Sequence, residues 1–509
     1  MPNSSNETNE NEAQHSKMTL PGMRYLFTAM CFFGMSFMFA ARCSMSVAIV
    51  AMVNHTAVNN NVQTQECPNL IRHPENISDP MYIRAKDGEF NWPPSMQAQV
   101  LGSFYYIFSL MQIPGGRFSE TFSGKWVFFI GLTISLILTL LIPFSAYNSF
   151  HLLILVRMLM GAAQGVCFPA IFNLMGLWFP STEKSLLQNI VMSGINVGIF
   201  ITMIVTGFLC NSKILGGWPS VFYLTGLVGL LFCLLWVFLV TDTPKEHPFM
   251  SEEELEYITS NQNVNQDLEL PSFPWKRALK SRPLWAVVIA QIGIDWCYYT
   301  LLNHLPQFFY DILHFDLESN GLLSSFPYLL EAMTGVFSGY ISDVILRRNL
   351  VTVIFARRFF NTVAAVGSSI GLTLVMISGC NVVPHIVLFA LVMAISGFCY
   401  SGYLINVMDL SPEYAGTIMG IMNTASCLGG FITSAVVGSL TEPENTMHQW
   451  GYVFIINIVM LLISSAFYLI FSSADKQMWH LPREEVRSES ISPTSSPLGS
   501  PNQPSGTTT

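Results

Sequence analysis

The chain has 509 residues, of which 51% are apolar, 13% aromatic and only 11% charged, with a mean hydropathy of +0.45. Soluble proteins carry about 25% charged residues, so this composition excludes an ordinary soluble enzyme and a disordered scaffold. The formal net charge of −9 excludes a basic nucleic-acid binder.

At about 20 residues per crossing, half a chain of apolar residues makes roughly a dozen membrane helices. Residues 1–23 are a polar tail, predicted to be disordered. No cleavable signal peptide is expected, because the first 17 residues are polar and the apolar run after them is too long for one. Apolar segments then fall at 24–53, 96–117, 126–146, 151–173, 186–210 and 219–240. A polar linker spans 241–283, and six more segments follow at 284–310, 320–341, 352–379, 384–409, 414–440 and 449–473. The tail 474–509 is rich in Ser, Pro and Thr and is predicted to be disordered. The pattern predicts an all-α membrane protein of 12 transmembrane helices in two six-helix halves, 24–240 and 284–473, which is the major facilitator fold. Such halves bind substrate between them and rock around it.

Lys and Arg fix the orientation. With both tails and the linker cytoplasmic, 17 of the 23 basic residues lie inside. Four (Arg72, Arg84, Lys86, Lys213) lie outside, and Arg42 and Arg157 sit within apolar segments. The outer loop 54–95 carries two glycosylation sequons, Asn54-His-Thr and Asn76-Ile-Ser, on the side that reaches the ER lumen. Those at Asn3 and Asn6 fall in the cytoplasmic tail and should be unused.

The loops after segments 2 and 8 echo one another. One carries Arg117, Glu120 and Lys125; the other carries Asp343, Arg347 and Arg348. Each sets acid and base at a cytoplasmic turn, as a charge latch between helices would require. A plain basic turn is the alternative.

A charge inside the bilayer costs at least about 2.5–3.5 kcal/mol, so the few present are functional candidates. Arg42 lies about 27 Å along the first helix, too deep for an interface anchor. Arg157 sits about six residues into segment 4. Neither segment holds an acid, arginine stays charged, and a guanidinium grips a carboxylate or phosphate with two hydrogen bonds. A small anionic substrate is therefore the expected counterion; snorkelling, or a bond to a helix-end carbonyl, is the alternative. Asp295 and Glu331 are acids in segments 7 and 8. They could carry a coupling proton, bind Na⁺, or pair structurally with each other. Asp409 ends segment 10, where a gating or capping role is expected.

The glycine pairs Gly161/Gly165, Gly194/Gly198 and Gly416/Gly420 read as close helix packing. No G-x-x-x-x-G-K-[ST] loop supports ATP-driven pumping, and no nucleophile–base set supports an enzyme. The ten cysteines show neither metal-ligand spacing nor a disulfide framework. No metal and no cofactor beyond a coupling ion, Na⁺ or H⁺, is expected.

The sequence resembles the anion–cation symporter family of the major facilitators, which includes sialin, the vesicular glutamate transporters and the type I sodium–phosphate cotransporters. The resemblance spans roughly 24–475. It rests on Arg42-Cys-Ser-Met-Ser-Val-Ala-Ile-Val-Ala-Met-Val53, Asn91-Trp-Pro, Leu101-Gly-Ser-Phe-Tyr-Tyr, Gln112-Ile-Pro-Gly-Gly116 and Arg157 with Gly161-Ala-Ala-Gln-Gly165. Trp218-Pro-Ser-Val-Phe-Tyr223, Leu279-Lys-Ser-Arg-Pro-Leu-Trp-Ala286, Asn320-Gly-Leu-Leu-Ser-Ser-Phe-Pro-Tyr328 and Ile405-Asn-Val-Met-Asp-Leu-Ser-Pro-Glu-Tyr-Ala-Gly416 add to it. It implies anion transport driven by protons, sodium or potential, with Arg42 and Arg157 at the positions that act on the anion. Sialin-like members carry two segment-4 glutamates linked to proton coupling; here these are Met160 and Gln164, and Gln164 resembles the sodium–phosphate branch. The histidine and arginine of the glutamate transporters align with Leu101 and Ile294, which argues against vesicular glutamate loading.

The expectation is a symporter of small anions in the lipid bilayer, working as a monomer without nucleic acid. Sialic acid, phosphate, urate and other carboxylates are candidates. A transporter-like anion sensor without net flux is the alternative. Neither tail carries an acidic dileucine signal, which places the plasma membrane ahead of lysosome or vesicle.

Overall fold

The computed structural model describes residues 22–54, 88–211, 216–260, 273–313, 317–441 and 446–477. Long apolar runs become helices because a bilayer offers the backbone no water to bond. The first half holds α1 (Met23–Met52), α2 (Pro94–Thr121), α3 (Gly124–Asn148), α4 (Phe150–Gly165), α5 (Cys167–Trp178), α6 (Lys184–Asn211) and α7 (Pro219–Leu239). A short helix in the linker, α8 (Glu252–Ser260), precedes the second half. That half holds α9 (Arg282–Asp311), α10 (Leu317–Arg347), α11 (Val353–Ile377), α12 (Val382–Ser396), α13 (Tyr403–Leu410), α14 (Ala415–Thr441) and α15 (Met447–Phe471). Among the described residues, eleven stretches are long and apolar enough to cross a membrane. The remaining expected crossing, α2, is less apolar because it carries Gln97, Gln99, Gln112, Arg117 and Glu120. It packs along α4 and α14, which cover the Gln112 and Glu120 side chains with protein.

Two expected single helices are broken, and they occupy equivalent places in the two halves. Segment 4 divides into α4 and α5 at Val166, because Pro169 has no N–H to bond the Gly165 carbonyl. Segment 10 divides into α12 and α13 at a 3₁₀ turn, Gly397–Ser401. Interrupted helices at matching positions point to the binding region of such bundles.

The halves meet along two seams, α6 against α10 and α2 against α14. Glycine lets the backbones approach. A Cβ on Gly116 would sit 2.5 Å from the Gly416 carbonyl oxygen, and one on Gly339 would sit 2.7 Å from that of Ser185. Gly420 likewise abuts the Gln112 carbonyl, Gly161 abuts Phe104, and Gly198 abuts Ser36. The contacts of Gly161 and Gly198 lie within the first half, whereas those of Gly116, Gly339 and Gly420 join the halves toward one end of the bundle. This "basic end" carries the turns after α2, α5 and α10. The seams are closed there.

The linker is tied to the first half. Glu254 of α8 accepts from the backbone N–H groups of Met23 and Arg24, and its Oε1 lies 3.1 Å from Arg24 Nη1. Arg24 Nε lies 2.9 Å from Glu183, and Tyr257 of α8 bonds Thr182 at 2.7 Å.

Candidate functional site

A cavity of about 110 Å³ lies where the halves meet. Its wall includes Phe39 and Arg42 of α1, Phe108 of α2, Asp295, Tyr298 and Tyr299 of α9, Glu331 of α10, and Tyr400 from the break between α12 and α13. Among the lining residues Arg42 is the sole lysine, arginine or histidine, and Asp295 and Glu331 are the sole carboxylates.

Arg42 is buried among aromatic rings. Its guanidinium carbon lies 4.6 Å from the Tyr105 ring centroid, 5.1 Å from Phe108, and 5.2 Å from both Phe39 and Phe104. These distances fall in the cation–π range. It makes no ion pair among the described residues. Arg157 does not share the wall; its guanidinium lies 5.2 Å from the Phe104 ring. Its Nε donates weakly to the Val100 carbonyl (3.4 Å), and its Nη1 is buried without a partner. Both guanidiniums thus lie 5.2 Å from one ring, and neither makes an ion pair among the described residues.

Asp295 Oδ2 accepts from the Ser426 hydroxyl and from Gln291 Nε2 at 3.1 Å. Gln291 also donates to Asn423 Oδ1 (2.6 Å), and Asn423 Nδ2 donates to Gln112 Oε1 of α2 (3.2 Å). Glu331 Oε1 accepts from the Ser396 and Tyr400 hydroxyls, each at 3.2 Å, while Oε2 is buried without a partner. Tyr400 in turn accepts from Asn196 Nδ2 of α6 at 3.0 Å. The two acids share no hydrogen bond, so the structural-pair alternative is not what this arrangement forms. Gln164 is not on the cavity wall. Its Nε2 donates to the Met38 carbonyl (3.1 Å) and Ser135 Oγ (2.8 Å), clamping α4 to α1 and α3.

The expected latch residues separate at the basic end. Glu120 pairs with Arg117 at 2.7 Å and accepts from the Thr417 N–H and hydroxyl, each at 2.6 Å, tying α2 to α14. Lys125 takes no part in this: its N–H donates to Asp242 and its ammonium lies over Trp126. Asp343 does not pair with Arg347 or Arg348 through its carboxylate; both arginines are exposed. It accepts instead from the Ser185 and Leu186 N–H groups at 3.2 and 2.7 Å, capping α6 across the seam. The bare N–H groups of a helix start, with their dipole, hold a carboxylate better than a solvated arginine does. Asp409 closes the contact between halves, 2.9 Å from Lys184 Nζ and 2.7 Å from Arg357 Nε. Sequence reasoning missed Lys184 and Arg357 as partners, having counted them only toward orientation. Arg357 carried one signal, a charge five residues into an apolar helix.

Asn54 bonds through its N–H to the Phe90 carbonyl, and Asn76 lies outside the described residues. The sequence showed no disulfide framework; the structure has Cys380 disulfide-bonded to a partner outside the described residues. One bridge leaves no spacing pattern to read. Eight other cysteines are free. No group of metal-ligating side chains forms among the described residues.

Two six-helix halves with a cavity at their seam define the fold class of a membrane transporter. The profile described as Major Facilitator Superfamily matches residues 26–434. The fold matches the E. coli fucose:proton symporter with a TM-score of 0.56 at 12% identity, covering 87% of this chain and 99% of that one. Human sialin is 34% identical over 459 residues, 90% of this chain and 91% of sialin. Human sodium-dependent phosphate transport protein 1 is 34% identical over 452 residues, 88% and 92% of the two chains. The chain belongs to the anion–cation symporter family of the Major Facilitator Superfamily, multi-pass membrane transporters rather than enzymes, which need no cofactor.

Proposed function

We propose that the protein is a symporter of small organic or inorganic anions, coupled to Na⁺ or H⁺ and working by alternating access of its two halves. One observation carries this reading. Arg42 faces the cavity at the seam, desolvated by four rings and unpaired with any acid among the described residues. A buried cation without a counterion is costly, and a bound anion supplies one. Arg157, against the same Phe104 ring, adds positive potential to the region. Asp295 and Glu331 face the same cavity and are the groups able to take up the coupling cation.

The charge asymmetry of the loops supports cytoplasmic termini and a cytoplasmic linker, with Asn54 and Asn76 glycosylated on the outer side. The tails, free of an acidic dileucine signal, support the plasma membrane. The relatives' names keep phosphate and a sodium gradient among the candidates.

The test is uptake into proteoliposomes of labelled N-acetylneuraminate, phosphate and urate, under an inward Na⁺ gradient and separately an inward proton gradient. The expected result is saturable uptake of at least one anion under one gradient, lost in Arg42→Ala. Anion binding without flux under either gradient would instead establish the sensor. Neither binding nor flux would sink the proposal.

A further inference from the structure

We propose that Glu331 is the proton carrier of the transport cycle, and that Tyr400 and Asn196 transmit its charge state to the opposite half. The inference rests on the symport reading above and names its coupling ion.

The geometry separates the two cavity acids. Asp295 shares the cavity with Arg42 and is reached by Ser426 and by the Gln291 amide, whose chain runs through Asn423 to Gln112. An ionised carboxylate has support there. Glu331 has donors on one oxygen only, and Oε2 is sealed from solvent without a partner. The titratable groups facing it are Asp295, Cys297 and Tyr298 from α9, Tyr328 on its own helix, and Cys399, Tyr400 and Tyr403 from the segment-10 break. From α6 the neutral Asn196 approaches through Tyr400. None is cationic, and Glu331 makes no ion pair among the described residues. A bare carboxylate oxygen in such a place costs several kcal/mol. A proton on Oε2 removes that cost. The step balances simply: an O–H bond forms on Oε2 from one side and breaks toward the other. One proton moved with one monovalent anion leaves net charge unchanged.

The same site reports its state across the seam. While Glu331 is ionised, the Tyr400 hydroxyl donates a charge-assisted bond to Oε1, and its oxygen holds the Asn196 amide of α6. Neutralising the carboxyl weakens the first bond by about half. It thereby loosens Tyr400, one of the residues that join α10 to α6. Proton loading is thus linked to the contact between halves that alternating access must break.

The experiment reads the proton without needing the substrate. The infrared band of a protonated carboxyl is followed against pH in detergent-solubilised protein. It is expected in wild type, lost in Glu331→Gln, and kept in Asp295→Asn. In Tyr400→Phe, which removes a donor to the ionised form, it should persist into more alkaline buffer. A band unchanged in both Glu331→Gln and Tyr400→Phe overturns the proposal; if Glu331→Gln does not fold, the Tyr400→Phe titration decides alone. In proteoliposomes loaded with whichever of the three anions wild type transports, a pH gradient should drive about tenfold accumulation per pH unit. Glu331→Gln should lose that accumulation while still exchanging labelled for unlabelled anion. Accumulation by pH that survives in Glu331→Gln, or wild-type uptake driven by Na⁺ alone, overturns the proton carrier and leaves symport standing. Wild type that moves no anion fails the transport reading, and the infrared result then still judges Glu331.

Discussion

Replacing Gly339 by Ala should open the basic end of the bundle. The added Cβ would lie 2.7 Å from the Ser185 carbonyl oxygen and 3.0 Å from the Leu186 Cα. Both are backbone atoms of α6, so no rotamer change relieves them. Ordinary contact starts at 3.4 Å, which requires α10 and α6 to part by about 0.7 Å at the point where the halves touch. Overpacking of this size costs about 1–3 kcal/mol. The cost falls only on the state closed at this end, while the gain in helix propensity, up to about 1 kcal/mol, is common to all states. At a factor of ten per about 1.4 kcal/mol, the closed population drops about five- to 150-fold relative to the open one. Spin labels at Ser181→Cys and Arg348→Cys, exposed positions on opposite halves, read the separation by pulsed electron resonance. The longer distance should dominate in Gly339→Ala. The control is Gly207→Ala on α6, where a Cβ meets nothing within 4 Å. Identical distance distributions for the two variants would refute the argument.

Three further outcomes follow from the polar contacts. Asp409→Asn strips Lys184 and Arg357 of their acid and should cost about 3–5 kcal/mol, as breaking a buried pair does. Thermal unfolding measures the loss, and the added Lys184→Met change should recover part of it. Arg42→Lys keeps the charge but loses the planar fork that stacks on four rings and grips an anion twice; uptake kinetics should show KM rising about tenfold or more with the protein folded. Glu254→Gln weakens the tie from α8 to Arg24 and the start of α1. Hydrogen exchange over 252–260 should then quicken by about tenfold, the effect of losing about 1.4 kcal/mol of charge-assisted bonding, with the crossing helices unchanged.

The crossings were legible because a hydrophobic run long enough to span lipid has one low-energy backbone, the helix, whatever its neighbours. Arg42, Asp295 and Glu331 stood out because charge in such a run is expensive. Pairings were not legible, because they join positions remote in sequence. Lys184 and Asp409 are 225 residues apart, and Gln112 and Asn423 are 311 apart. Asp343 shows the failure most plainly. Arg347, one turn away, suggested a local pair, but the exposed guanidinium lost to the unsatisfied N–H groups opening α6. Arg157 was read from its charge in an apolar run as a second contact for the anion, and only the structure shows that it does not line the cavity.

The charges in the cavity also constrain the order of events. With Asp295 and Glu331 both ionised, the lining carries two negative charges against the one positive charge of Arg42. An anion entering that cavity would find Arg42 outnumbered. Two unit charges even 10 Å apart repel by about 1.7 kcal/mol at an effective dielectric constant of about 20. Neutralising one acid removes that repulsion and raises anion affinity by more than about tenfold. Linkage makes the effect mutual, so a bound anion holds the coupling cation by the same factor. On the proposed symport, an anion that arrives without its cation binds more than about tenfold more weakly, and a cation that arrives first prepares the site. On that reading a cavity with two acids and one arginine is itself a coupling device, because anion affinity depends on the cation being there.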